Sequence, residues 1–492
     1  MAGFTYRGKV AVFWLIGAVA APSLLAQAIA ISDDQSIQSS PNNSGALFGI
    51  SVSTDADLIA VGASDYSDTM FNGGTVFLFG YDGNDWSQTD QLEPDDVMVS
   101  DFFGFAVGVS GDTLVSGAWG SDSLANLSGA AYVFERDLGG ADAWGQQAKL
   151  LAPDAGVGDV FGYSVAIDAD TIAVGAPLDD SSGFFEAGGV YIYTRDVATG
   201  DWSFLKKLIA NDPNTDAQFG FSLALDGDRL VVGSVGSSVQ GNGSGAVYVF
   251  ERAFGGADNW GQVTKLTGSD VDANDQFGQS VAVDGDRIVV GASKRNRESV
   301  FSGAVFVFDR DFGGDGAWGE SATFRADEPV NLQAFGGSVS IADGVILVGA
   351  EATPVDGMLD SGTVFVFVED DQGGWNQELA IAPETSDGGE LLGGATAIMP
   401  DGDGLRCVLG ARGAGGVLAP FTGAVRVLNI SEEVACLADV APPEGVLNFF
   451  DISAFITLFN AGDPAADFAE PFGVLNFFDI SAFISAFNVG CP

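Results

Sequence analysis

Carboxylates are the side chains of this sequence that could do chemistry, because the chain contains no histidine. Without histidine, no Ser-His-Asp or Cys-His nucleophile system can be assembled, and no metal site can use an imidazole ligand. The three cysteines are too few for an all-cysteine zinc site. Hydrolysis by a carboxylate pair and calcium binding by oxygen ligands stay open. The composition thus argues against most enzyme classes and predicts a protein that is not an enzyme.

The charge of the chain is strongly negative, with 19 Lys and Arg against 67 Asp and Glu, a formal net charge of −48. Such a surface repels nucleic acid and anionic membranes, so no nucleic-acid partner is expected. Lys294, Arg295 and Arg297 form a basic island that could meet an anionic glycan or a carboxylate. Five acids are candidates for binding cations: Asp65, Asp68, Asp122, Asp179 and Asp180. For both sets, solvated loop charges without a ligand are the alternative.

These charged residues lie between the strands of a repeated unit. Each unit begins with Phe-Gly, or Leu-Gly in the last copy, and copies follow at 55 to 58 residues: Phe48, Phe103, Phe161, Phe219, Phe277, Phe335 and Leu392. In the third unit, period-2 alternation of apolar residues predicts strands at 163–168, 171–176, 189–194 and 202–209. Seven such four-stranded units predict an all-β fold, a seven-bladed β-propeller over residues 29–430.

Three further features of the repeat bear on the ring. The seventh unit lacks a fourth strand with Trp, which residues 29–32 could supply to close the ring. A Trp recurs in the other units and is expected to pack between blades. With strands named A to D in each unit, strand alternation puts the B–C and D–A links on one face. The B–C links differ between units, so function is expected on that face.

The Phe-Gly pair, followed in the third unit by Val-Gly-Ala-Pro at 174–177, resembles the FG-GAP repeat of integrin α-subunit heads and bacterial surface proteins. Many FG-GAP repeats carry a calcium loop, D-x-D-x-D-G, between strands A and B. Here that link shrinks to short turns such as Asp226-Gly227-Asp228, and only 401–404 hints at a longer loop. A short turn cannot supply six to eight oxygen ligands, so no calcium is expected in the blades.

The C-terminal part, residues 431–492, contains a duplicated segment. The sequence 445–456 recurs unchanged at 473–484, and its apolar positions follow helical spacing. The pair resembles a dockerin, which implies a small helical module of two loop-helix units with calcium loops. The ligands that the resemblance implies are Asp439, Glu444, Asn448, Asp451, Asp467, Glu470, Asn476 and Asp479. The first half of each loop departs from the dockerin pattern, which leaves calcium binding open.

The cysteines and the N-terminus point to export. Residues 1–28 have a charged start, an apolar run and an Ala-Gln-Ala cleavage site, the pattern of a signal peptide. An uncleaved anchor is the alternative, but after cleavage no membrane span is expected. In an oxidising compartment Cys436 and Cys491, which bracket the duplicated segment, could form a disulfide. Cys407 lies in a strand-like segment and is expected to be a buried free thiol.

The function expected from these features is that of a secreted or cell-surface binding or adhesion scaffold. The propeller face would bind a protein or glycan, and the C-terminal module would anchor it to a cohesin-like partner or the envelope. One alternative is a carboxylate-based polysaccharide-degrading enzyme, which needs two acids facing each other across the central channel. The inner strands offer mostly Val, Ile, Ala and Gly. A purely structural surface-layer component is the other alternative.

Overall fold

The computed structural model describes residues 28–40, 45–66, 70–180, 183–295, 301–326, 330, 333–370, 372–383, 388–402, 404–414, 422–433 and 455–456. Its 28 strands form seven four-stranded sheets. Blade 1 contains β2 (Ser51–Asp55), β3 (Leu58–Ala63), β4 (Thr75–Tyr81) and β5 (Trp86–Leu92). Blade 2 contains β6 (Ala106–Ser110), β7 (Thr113–Ala118), β8 (Ala130–Gly140) and β9 (Ala143–Leu150). Blade 3 contains β10 (Ser164–Asp168), β11 (Thr171–Ala176), β12 (Gly189–Arg195) and β13 (Trp202–Leu208).

The remaining blades follow the same order. Blade 4 contains β14 (Phe219–Asp226), β15 (Arg229–Ser234), β16 (Ala246–Glu251) and β17 (Gly261–Leu266). Blade 5 contains β18 (Ser280–Asp284), β19 (Arg287–Gly291), β20 (Val305–Asp309) and β21 (Gly319–Phe324). Blade 6 contains β22 (Ser338–Ala342), β23 (Val345–Ala350), β24 (Thr363–Glu369) and β25 (Trp375–Ile381). Blade 7 contains β26 (Leu392–Asp401), β27 (Gly404–Ala411), β28 (Ala424–Glu433) and β1 (Ala28–Ile37). The predicted seven-bladed propeller of four-stranded blades is confirmed.

Blade 7 joins the two ends of the propeller. Its sheet order is β1-β28-β27-β26, so the first strand of the chain is the outer strand of the last blade. The prediction that the N-terminus closes the ring is confirmed. Gln35 on β1 donates to the Trp86 carbonyl (2.9 Å) and accepts from the Trp86 amide (2.7 Å), which ties β1 to blade 1. The side chain of Asp34 contacts Arg426 of β28. β28 continues past residue 430 to Glu433, and Ile430 is buried.

The core lies between neighbouring blades. In one apolar cluster, Val408 and Val425 of blade 7 pack with Ile59 and Phe77 of blade 1, and Ile37 of β1 joins them. At each blade junction two glycines touch: a Cβ on Gly62 would lie 1.9 Å from the Gly104 carbonyl oxygen. The seven pairs are Gly62–Gly104, Gly117–Gly162, Gly175–Gly220, Gly233–Gly278, Gly291–Gly336, Gly349–Gly393 and Gly410–Gly49. Glycine is needed here because any side chain would push the blades apart.

At three blade junctions the recurring Trp packs between blades, as predicted. Arg406 of blade 7 lies over the Trp86 ring of blade 1, with 4.7 Å between the guanidinium carbon and the ring centroid. Arg229 and Trp318, and Arg287 and Trp375, make the same contact across two other junctions. A cation over an indole face is attracted by the ring quadrupole. The recurring Trp therefore helps join blades.

The chain divides into two compact units, one of which includes residues 33–429 and the other residues 430–492. Of the predicted C-terminal module, Phe455 and Ile456 are described, and both have helical backbone conformation. The dockerin-like calcium ligands and the proposed disulfide fall outside the described residues: Asp439, Glu444, Asn448, Asp451, Asp467, Glu470, Asn476, Asp479, Cys436 and Cys491. The signal-peptide segment is likewise outside, up to residue 27. Cys407 is buried and free, as predicted.

Candidate ligand-binding face

The B–C link of each blade lies against the D–A link that follows it. In blade 1, the Ser100 amide donates to the Phe71 carbonyl (3.0 Å) and the Phe102 amide to the Asn72 carbonyl (3.1 Å). In blade 3, the amides of Asp216 and Gln218 donate to Phe185 and Glu186 in the same way (2.8 and 3.0 Å). The two kinds of link therefore form one continuous face of the propeller, which we call the B–C face.

Within each B–C link, one residue holds the same backbone position while its side chain changes. Its carbonyl accepts a hydrogen bond from a glycine amide just before strand C, as in Tyr66 with Gly74 (3.2 Å) and Asp179 with Gly188 (3.0 Å). In chain order the seven residues are Tyr66, Ser121, Asp179, Ser237, Arg295, Thr353 and Ala414. Five of these seven side chains are buried, so they fix the link from within, and the exposed residues of each link are the ones that can meet a ligand.

The predicted acidic residues lie on this face in different surroundings. Asp122 and Asp180 are exposed, and their carboxylates accept the backbone amides of Leu127 (2.8 Å) and Glu186 (2.6 Å), which shapes their own loops. Burial raises the pKa of Asp65, and a hydrogen bond from Ser64 partly offsets this. Asp68 is outside the described residues.

Asp179, by contrast, is fully buried. It accepts from the Lys207 ammonium (2.6 Å) and from the Tyr191 hydroxyl (2.5 Å). A carboxylate with these partners is occupied by the protein itself. Asp179 therefore fixes the blade 3 link and does not face solvent.

The basic island also contains one exposed and one buried residue among those that the structure describes. Lys294 is exposed, whereas Arg295 is fully buried and its guanidinium contacts the carboxylate of Asp270. The Arg295 Nε also donates to the Asp270 carbonyl (3.1 Å). Arg297 is outside the described residues. Among the described members of the island, Lys294 is the one whose charge can reach a ligand.

A recurring Lys-Tyr-Asp cluster, which was not recognised in the sequence, joins strands C and D of a blade to the preceding D–A link. Lys149 and Tyr132 both donate to Asp96 (2.5 and 3.0 Å), an acid of the preceding D–A link. The same contacts occur among Lys207, Tyr191 and Asp154, and among Lys265, Tyr248 and Asp212. The signal was present in the sequence, because Asp96, Asp154 and Asp212 share the 58-residue spacing of the Phe-Gly pairs.

A row of aromatic rings runs across blades 2 to 4 on the same face. Phe102 stacks on Trp119 with ring centroids 4.7 Å apart and an interplanar angle of 1°. Phe105 contacts Trp119 and Tyr163, and Tyr163 contacts Phe221 at 5.0–6.0 Å. The five rings are partly exposed, and the Trp119 indole nitrogen makes no hydrogen bond. Such a row offers apolar contact area to a ligand.

The opposite end of the axis has a cavity of about 430 Å³ lined by the ends of the seven A strands. Four of its carboxylates are Asp55, Asp168, Asp226 and Asp284. Each accepts a backbone amide from the A–B turn of the next blade, at 2.6 Å for Asp168 with Gly227 and 2.7 Å for Asp226 with Gly285. The sequence analysis had described the inner strands as apolar and overlooked these acids, which come at the strand ends. Their contacts make them links between blades.

The A–B links do not fit calcium. They are two-residue turns, such as Ala169-Asp170 between β10 and β11. Across the described part of the chain, no group of three or more potential metal ligands lies close enough to hold an ion.

No helix in the described ranges combines the length and the apolar character needed to cross a membrane. No curated protein matches the chain. The crystal structure of Sqt1 from Saccharomyces cerevisiae is similar over 79% of this chain and 96% of that chain, with 12% identity and a TM-score of 0.43.

Four segments match the FG-GAP repeat: residues 86–134, 144–193, 202–250 and 260–308. Each segment begins at the outer strand of one blade and ends on the third strand of the next. The Phe-Gly pairs at Phe103, Phe161, Phe219 and Phe277 fall inside these segments. The chain is thus a seven-bladed β-propeller protein that carries four FG-GAP repeats.

Proposed function

We propose that the protein is an exported binding scaffold whose B–C face meets a protein or glycan ligand. The observation that carries this proposal is the constant hydrogen-bonded backbone of the B–C links combined with exposed side chains that change from blade to blade, such as Phe71, Asp122 and Lys294. Folds that keep their frame and vary one face usually place recognition on that face. FG-GAP repeats are typical of extracellular or cell-surface proteins, which agrees with the signal-peptide pattern at 1–28.

The proposal assigns no catalytic step to the protein. The chain has no histidine, and the cavity carboxylates Asp55, Asp168, Asp226 and Asp284 each hold the neighbouring blade.

Site-specific photo-cross-linking tests which face binds. A photoreactive residue at Phe185 samples the B–C face, and one at Phe312 samples the opposite face, where the C–D hairpins end. Both side chains are exposed, so the pair is matched. With the full chain mixed with envelope and culture-medium fractions of the source, we expect adducts at Phe185 and none at Phe312. Adducts at Phe312 alone, or at neither position, would contradict the proposal.

The C-terminal module, residues 431–492, is proposed to anchor this scaffold to a cohesin-like partner or to the envelope, with calcium in the dockerin-like loops. Its duplicated 12-residue segment supports a specific structural role. Retention of the full chain on envelope fractions, compared with a chain that ends at 433, measures the anchoring. Repeating the comparison with calcium and with a chelator separates a metal-dependent anchor from a metal-free one.

A further inference from the structure

Bulky apolar side chains project from the B–C face at one recurring place. Where the B–C link hydrogen bonds to the next D–A link, two neighbouring residues supply the accepting carbonyls, for example Phe71 and Asn72 in blade 1. In five blades one member of this pair is large, apolar and exposed: Phe71 (68%), Leu127 (37%), Phe185 (58%), Phe301 (39%) and Leu359 (71%). We call these five residues the apolar rim. In blade 4 the pair is Asn242 and Gly243.

Two rim residues have a strained backbone conformation. Leu127 and Phe301 have φ values of 52° and 53°, in the left-handed region that bulky side chains disfavour. Asn72, Glu186 and Asp360 occupy the equivalent position in other blades, also at positive φ. Asn and Asp tolerate that conformation better than Leu or Phe. The recurrence of an exposed apolar side chain at this place in five blades, twice at a disfavoured φ, supports a binding role.

Acidic side chains surround the apolar rim. The Asp122 carboxylate accepts from the Leu127 amide, the backbone amide of Asp216 donates to the Phe185 carbonyl, and Asp360 follows Leu359. All three acids are exposed. Lys294 is the only Lys or Arg on the described B–C and D–A links that belongs to the exposed class. The rim therefore offers large apolar contacts inside a field of negative charge.

We propose that the apolar rim docks a protein segment in which Lys or Arg side chains alternate with bulky apolar ones. Apolar anchors supply most of the affinity of such contacts, and complementary charge sets orientation and partner choice. A second copy of this chain would bring acid against acid, and an anionic membrane would be repelled in the same way. This inference rests on the proposed function, because it takes the B–C face as the binding face.

The test uses a synthetic amphipathic peptide of Lys and Leu as the probe and the full chain as the receptor. The rim variant is F71N/L127N/F185N. Asn already stands at the equivalent positions in Asn126, Asn72 and Asn242, so these replacements keep the link backbone. The matched control is L138N/F254N/F312N, which removes three exposed apolar side chains from the C–D hairpins of the opposite face.

We expect the wild type and the control variant to bind the Lys/Leu peptide alike in calorimetry, with affinity that falls as salt rises. The rim variant should lose affinity by about tenfold or more. A Glu/Leu peptide of the same length should not bind. Both variants should unfold at the wild-type temperature, and if the triple rim variant does not, F185N alone replaces it.

Three results would overturn the inference: no binding of the Lys/Leu peptide to wild type, equal loss in both variants, or equal binding of the Glu/Leu peptide. Rim-dependent capture by lipid vesicles in place of the peptide would also overturn it, in favour of a membrane. If cross-linking at Phe185 still captures a ligand without such a segment, the inference fails and the binding function stands. If that cross-linking fails as well, both are wrong.

Discussion

Asp159 and Asp154 lie in the same D–A link, and their surroundings shift their pKa values in opposite directions. Burial raises the pKa of Asp159; the Gly156 amide opposes the shift, and the charges of Asp179 and Asp180 add to it. Burial also acts on Asp154, but hydrogen bonds from Tyr191 and Lys207 outweigh it and hold its pKa below the usual value. The folded state therefore disfavours the charged form of Asp159 and favours the charged form of Asp154.

The substitution Asp159→Asn should raise the melting temperature at neutral pH, because it removes a charge that the folded state disfavours. Since the folded pKa of Asp159 exceeds the unfolded one, the wild type regains this stability as pH falls through those values. The gain of the variant should therefore vanish in acid. Calorimetric scans from about pH 3 to pH 7 measure it.

Asp154→Asn is the matched control for that experiment. The depressed pKa of Asp154 contributes stability above its unfolded value, and this is lost as pH falls through the folded pKa. The control variant should therefore be less stable than wild type at neutral pH. The same sign for both variants would show that the two carboxylates share one environment.

At the scale of elements, β1 is held by its sheet pairing with β28 and by directional side-chain contacts. The Gln35 carboxamide makes two hydrogen bonds with the backbone of Trp86, one as donor and one as acceptor. They connect the outer strand of blade 7 to the outer strand of blade 1, and with the Asp34–Arg426 contact they fix the closing strand.

Gln35→Ala should lower the free energy of unfolding by about 1–2 kcal/mol, because two partly buried backbone groups lose their partners. Urea unfolding followed by Trp fluorescence measures the change. Gln88→Ala is the control, since Gln88 makes the same pair of contacts with the exposed Ser40 and should cost less. An unchanged midpoint for the Gln35 variant would show that the contacts of Gln35 with Trp86 do not stabilise the propeller.

The strands themselves could be predicted from the sequence almost to the residue. The predicted strand at 171–176 is β11, and the other three of blade 3 differ by one residue at an end. Period-2 alternation and tight turns are local signals, so they are visible in one repeat. Residues whose role depends on contacts between repeats were harder to predict. Arg295 was a candidate for ligand binding, yet its guanidinium is buried and contacts Asp270. The apolar rim is defined by exposure, which the sequence does not report.

For the whole molecule, the net charge of −48 works against compactness. Like charges spread over one ring repel each other, and salt screens that repulsion. The Debye length falls from about 30 Å at 0.01 M to about 10 Å at 0.1 M salt.

The melting temperature should therefore rise as sodium chloride increases across that range. The ion pairs between blades, such as Arg287 with Glu369, weaken in the same conditions, but they are few beside the excess acids. Differential scanning calorimetry measures the shift, and potassium chloride should give the same result if screening is the cause. A falling melting temperature would mean that the pairs outweigh the repulsion.

Because the first and last strands share a sheet, β1 is synthesised long before its partner strand β28. β1 ends at Ile37 and its partner β28 begins at Ala424, so nearly four hundred residues leave the ribosome between them. At about 5–20 residues per second, β1 waits roughly 20–80 s for its partner. A waiting strand is a template for unwanted pairing between nascent chains. The run Ser32-Asp33-Asp34-Gln35-Ser36 makes β1 polar and charged, which protects it until the last strand arrives.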